Sequence, residues 1–168
     1  MDKKTPATLR RLIISSVLYI VFALIGAAVA IAANRSASAP GVSSTGLPVV
    51  QDFLYGNGTA MSPPLYWLIA QGILTVLARR RDRWGTVSVG GLTIIGLLFG
   101  VFGFLEPIVL EVFNPKTFDL PKAVVEAGSI VIAFGMVVFG ILELVRRRRE
   151  KSSAVQSAAR PGEENTYV

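Results

Sequence analysis

Apolar positions in this chain are gathered into four long runs rather than spread at the intervals of a soluble amphipathic domain. The first, 12–33, holds no charge; its 22 residues, at 1.5 Å each, reach about 33 Å, enough to cross a hydrocarbon core of about 30 Å. The remaining runs predict helices over about 63–78, 87–110 and 122–145. The expected fold is an all-α, four-helix transmembrane bundle over residues 1–145, with an outer loop at 34–62. A basic and then disordered tail is expected over 146–168.

The breaks between runs carry turn signals. Pro63-Pro64 suits the first turn of a helix, where a missing N–H does no harm. Pro107 predicts a kink or stop after Glu106, and 114–121 reads as a compact outer turn. In the long loop, 35–48 is rich in Ser, Ala, Gly and Pro, while 49–55 is more apolar and is read as ordinary loop with aromatic anchors. A cleaved signal peptide competes for the first run, since Ala30-Ile31-Ala32 resembles a processing site. The run exceeds the usual apolar length of about 7–15 residues for such a segment, which favours a retained helix.

Charge adds an orientation. Of the 17 Lys and Arg residues, all but Arg35, Lys116 and Lys122 fall in the N-terminus, the Arg79-Arg80-Arg81-Asp82-Arg83 loop or the tail. Each arginine at a bilayer centre costs about 2.5–3.5 kcal/mol on insertion scales, so these segments stay in water. The positive-inside rule then places both termini and the arginine loop in the cytoplasm, as a multi-pass protein of the cell membrane. The same rule accounts for the net charge of +6 without a nucleic-acid partner. Membrane lipids are the expected contacts of Arg79, Arg80, Arg81, Arg83, Arg146, Arg147, Arg148 and Arg149, at about 1 kcal/mol per basic residue near an anionic surface.

Cysteine and histidine are both absent. That excludes disulfides, thiol relays, histidine-ligated haem and the usual zinc sites, and it removes any nucleophile–histidine–acid triad. No cofactor, metal site or catalytic residue is expected, and the chain does not read as an enzyme.

A few residues remain as candidates. Gln71 lies near mid-membrane on a face with Trp67, Thr75 and Ala78, and needs a hydrogen-bond partner on another helix. Gly96, Gly100 and Gly103 share a face containing a GxxxG, and Ser129, Ala133 and Gly140 share one with Glu126; both predict close helix packing. Glu106, Glu111 and Glu126 cluster toward the outer end. They read either as part of an ion or substrate path with Gln71, or as helix-end groups with Glu126 paired to Lys122. Glu143 reads as an ordinary pair with Arg146 and Arg147. Two glycosylation triplets, at Asn34 and Asn57, and the terminal Thr166-Tyr167-Val168 carry little weight. The function expected is a non-enzymatic accessory or assembly subunit that binds another membrane protein or itself. The alternative is a small oligomeric transporter or channel using Gln71, Glu106 and Glu126.

Overall fold

The computed structural model describes residues 5–37, 45–105, 114–116 and 118–158. Among them the protein is all helical, with α1 at Ala7–Ala32, α2 at Val49–Tyr55, α3 at Leu65–Leu77, α4 at Arg83–Leu105 and α5 at Leu120–Ala158. Three of these, α1, α4 and α5, are long and apolar enough to cross a membrane, which points to membrane localisation; α3 is apolar but shorter. Glu106, Pro107, Glu111 and the terminal Thr166-Tyr167-Val168 lie outside the described residues.

The helix limits differ from those expected, each for a local reason. α1 starts at Ala7, before the first apolar run, because Pro6, at φ −56° and ψ 145°, stands in a non-helical conformation just ahead of it and its carbonyl accepts the Arg10 amide at 3.0 Å. At the far end the Arg35 amide reaches the Ala30 carbonyl at 2.9 Å and the Asn34 amide reaches Ile31 at 3.0 Å. Asn34 sits at φ 53°, so this is a Schellman cap with asparagine in the left-handed position.

The segment read as plain loop at 49–55 is a helix. Val49, Asp52 and Phe53 turn inward, whereas Val50, Leu54 and Tyr55 stay exposed. Asp52 is buried and its Oδ1 accepts the Asn57 amide at 2.8 Å, closing the turn that follows. Seven residues give too few turns for periodicity to separate helix from loop.

α4 begins at Arg83, earlier than the expected 87, because Asp82 Oδ1 accepts the Gly85 amide at 3.0 Å in the manner of an N-cap. α5 shows the largest departure. The tail expected from 146, basic and then disordered, is helical through Ala158, giving 39 residues in one helix. Arg146 links Glu143 and Glu150 along one side, and the Arg, Glu and Lys residues here are good helix formers.

α4 and α5 make the closest contact of the bundle. A Cβ on Gly96 would lie 2.7 Å from the Ala133 carbonyl oxygen, and one on Gly103 would lie 3.0 Å from Ile130. Gly100 lies against the Phe134 ring, and Gly140 of α5 against Thr93 of α4. Small side chains therefore let two backbones meet where dispersion contact is the main attraction available. The core they share with α1 contains Leu12, Ala23, Leu92, Ala133 and Met136. The opposite faces expose Ile14, Val17, Val21, Ile94, Val101, Val131 and Val138, an apolar exterior rather than a wetted one.

α3 has 13 residues, about 20 Å of helix. Non-helical chain packed into the bundle leads into α3. Ala60, Met61, Ser62 and Pro64 are buried, and the Met61 carbonyl packs on Gly26, six residues (about 9 Å) before the end of α1. The Ala60 amide bonds Arg35 at 3.2 Å, the Thr59 amide bonds Ser62 at 2.8 Å, and Pro63 and Pro64 have no amide hydrogen to satisfy.

Candidate functional site

Three polar features occupy successive levels of the bundle. At the basic end, where α1 starts, α3 meets α4 and α5 emerges, Glu143 is fully buried. The Thr8 hydroxyl donates to its Oε2 at 2.6 Å, and Arg146 donates to both of its oxygens at 2.8 and 2.6 Å. Arg147 donates to Oε1 at 2.8 Å, then reaches past α5 to the carbonyls of Ala78 at 2.7 Å and Arg80 at 3.2 Å. These are carbonyls beyond the C-terminus of α3, left without helical amides, and a guanidinium fork fits them. Gly85 packs directly on the Arg80 carbonyl, so a side chain there would displace the turn. The pair expected to be ordinary is thus a buried knot joining α1, α3 and α5.

Midway along, Gln71 is fully buried and its amide donates to the Ser16 carbonyl at 3.2 Å, the Ser16 hydroxyl at 3.0 Å and the Met136 sulfur at 3.7 Å. Thr75 donates to the Gln71 carbonyl at 2.7 Å, leaving its oxygen to accept from Ser16 at 2.7 Å. The hydrogens run in one direction around α1 and α3. Gln71 Oε1 is the one buried side-chain oxygen without a partner among the described residues. Trp67 is not part of this buried face: it is 37% exposed, and Leu68 takes the inward position.

At the distal end a cavity of about 290 Å³ opens between the Met61–Pro64 chain and helices α1, α4 and α5. Tyr19 stacks on Phe99 at 5.3 Å between ring centroids, and Trp67 meets Phe99 edge-on at 6.1 Å. Glu126 and Ser129 line the α5 side, with Glu126 5% exposed. Lys122 Nζ is held by Asp119 Oδ2 at 2.7 Å, an exposed pair. Ala133 and Gly140 continue the buried side of α5 toward the basic end.

Of the three residues offered as a path, Gln71 and Glu126 are therefore at different levels, and Glu106 falls outside the described residues. Thr75, expected on the Gln71 face, joins the network, whereas Ser16 carried no sequence signal beyond being a hydroxyl inside an apolar run. Among the described residues no group of three metal-ligating side chains comes together. No family model, curated protein or solved structure matches the chain.

Proposed function

We propose that this is a multi-pass protein of the cell membrane, crossing it four times with both termini in the cytoplasm. It works without catalysis, as an accessory or assembly subunit held by helix–helix and lipid contacts. Contacts at the basic end support the topology, since Thr8, Ala78, Arg80 and Arg147 all join there through Glu143 or Arg147. That is one end for the first helix start, the α3–α4 turn and the last helix exit. The short α3 fits a crossing because the buried 60–64 chain extends it, and irregular backbone is tolerated at membrane depth where protein surrounds it.

The observation that carries the non-transporting reading is the commitment of Gln71. Its amide is spent within the bundle on Ser16, with no exposure, as helix glue rather than as a wet lining. Two measurements test the proposal. A lone cysteine at Arg81 should resist an impermeant maleimide in intact cells while one at Gln51 reacts; labelling at Arg81 overturns the topology. Mass spectrometry of the protein purified from its native membrane in mild detergent should find a stoichiometric membrane partner. A solitary monomer there sinks the accessory role.

The distal cavity favours a second reading, a small oligomeric transporter using Glu126, with Gln71 and Glu106 along its path. A buried carboxylate at such a place commonly serves ion or substrate movement. Proteoliposome flux abolished by Glu126→Gln would support it, and flux insensitive to that change would dismiss it.

A further inference from the structure

The arginines at the basic end are not equivalent. Arg147 is committed to Glu143 and two carbonyls, Arg146 lies between Glu143 and Glu150, and Arg80 is paired with Asp82 at 2.8 Å. Beside them runs a cleft of about 920 Å³, walled by the start of α1, the α3–α4 turn and the emerging part of α5. Four cations line it that have no ion-pair partner among the described residues: Arg10, Arg79, Arg81 and Lys151. They come from three separate segments of the chain, and Glu150 is the carboxylate among its lining residues. Like charges gathered in a concave space repel one another and focus a positive potential, a cost that a bound anion removes.

One wall of the cleft is not charged. Leu9, Ile13 and Ile14 of α1 continue it toward the apolar length of the helix, and Ile14 is 49% exposed. A free inorganic anion has no use for that wall. An anion carrying hydrocarbon does, because its tail would lie along α1 while its headgroup meets the cations.

We infer that the cleft is a binding site for the phosphate headgroup of an anionic phospholipid, which ties α1, the α3–α4 turn and α5 together at the membrane surface. The chemistry is phosphate recognition by guanidinium forks and an ammonium, with an acyl chain seated on Ile13 and Ile14. The inference rests on the membrane-spanning reading above but not on the accessory role. It also separates two sets of residues: Arg10 and Lys151 join the site, whereas Arg148 and Arg149, basic and exposed, are not among the residues that line the cleft.

The test uses the full chain purified in a neutral detergent. Dioleoylphosphatidylglycerol, dioleoylphosphatidylcholine and inorganic phosphate are titrated separately, with thermal unfolding and native mass spectrometry as readouts. Phosphatidylglycerol should remain bound and raise the unfolding temperature, while phosphatidylcholine does neither. Arg79→Gln/Arg81→Gln should weaken retention by about 30-fold, as two lost surface contacts imply, whereas Arg148→Gln/Arg149→Gln, with the same loss of charge, should change it less than about twofold. Arg10→Gln/Lys151→Gln repeats the test away from the turn, should the first pair disturb folding. Equal weakening by cleft and control pairs would reduce the effect to diffuse charge and overturn the site. Stabilisation by inorganic phosphate that the lipid does not exceed would overturn the lipid assignment. A chain missing from the membrane fraction would instead defeat the spanning reading, so the two failures remain distinct.

Discussion

Glu143→Gln is the sharpest test of how the bundle is closed at its basic end. The substitution keeps the shape of the side chain and removes its charge, leaving Arg147 with a side chain only 9% exposed and no carboxylate beside it. Breaking a buried ion pair from one side costs about 3–5 kcal/mol. Arg147 keeps its bonds to the Ala78 and Arg80 carbonyls, which argues for the lower end, about 3 kcal/mol. Arg146 adds less than Arg147, since its side chain is 29% exposed to water and it keeps Glu150 as a partner. The measurement is reversible unfolding of the reconstituted protein, with Glu150→Gln as the surface control. Glu143→Leu/Arg147→Met should recover part of the loss, because a well-packed apolar pair can replace a buried ionic one at little cost while the Ala78 and Arg80 carbonyls lose their donor. A loss under about 1 kcal/mol for Glu143→Gln, or a double variant no better than the single, would refute the reasoning.

Other consequences are smaller. Gln71→Leu should cost under about 1 kcal/mol, since it removes three donated contacts but also an oxygen without a partner; a larger loss in the same unfolding assay would mean Oε1 is bonded after all. Gly96→Ala should destabilise by about 1–3 kcal/mol against the Ala133 carbonyl. Gly90→Ala, with open space around it, should gain up to about 1 kcal/mol in helix propensity, and the same unfolding curves compare the two. Asp82 is held below its ordinary carboxylate range, chiefly by the Gly85 amide. Its contribution is therefore present above an unfolded-state value of about 4 and lost as pH falls through the lower folded value. Hydrogen exchange at Gly85, corrected for its intrinsic rate, should quicken across that acid window in the wild type; in Asp82→Asn it should not.

The apolar runs made the long helices legible, because 12–33 and 122–145 are each long and apolar enough to span a hydrocarbon core. The helix ends were not, since Pro6, Asn34 and Asp82 act through hydrogen bonds to particular amides or carbonyls. The tail to residue 158 read as disorder from its polar composition, yet alternating acid and base at helical spacing suffices to continue a helix that the bundle has already nucleated. Gln71 announced that it needed a partner but could not identify one: Ser16 lies 55 positions away in sequence. Glu143 looked ordinary because its burial depends on where α3 ends. A local pair in sequence became a long-range one only through Thr8, Ala78 and Arg80.

The unbroken course of α5 also has a mechanical meaning. Between residue 146 and Ala158 the helix adds about 20 Å with no hinge between it and the apolar portion. Such a rod behaves as a lever: any tilt of its apolar part swings the far end in proportion to the added length.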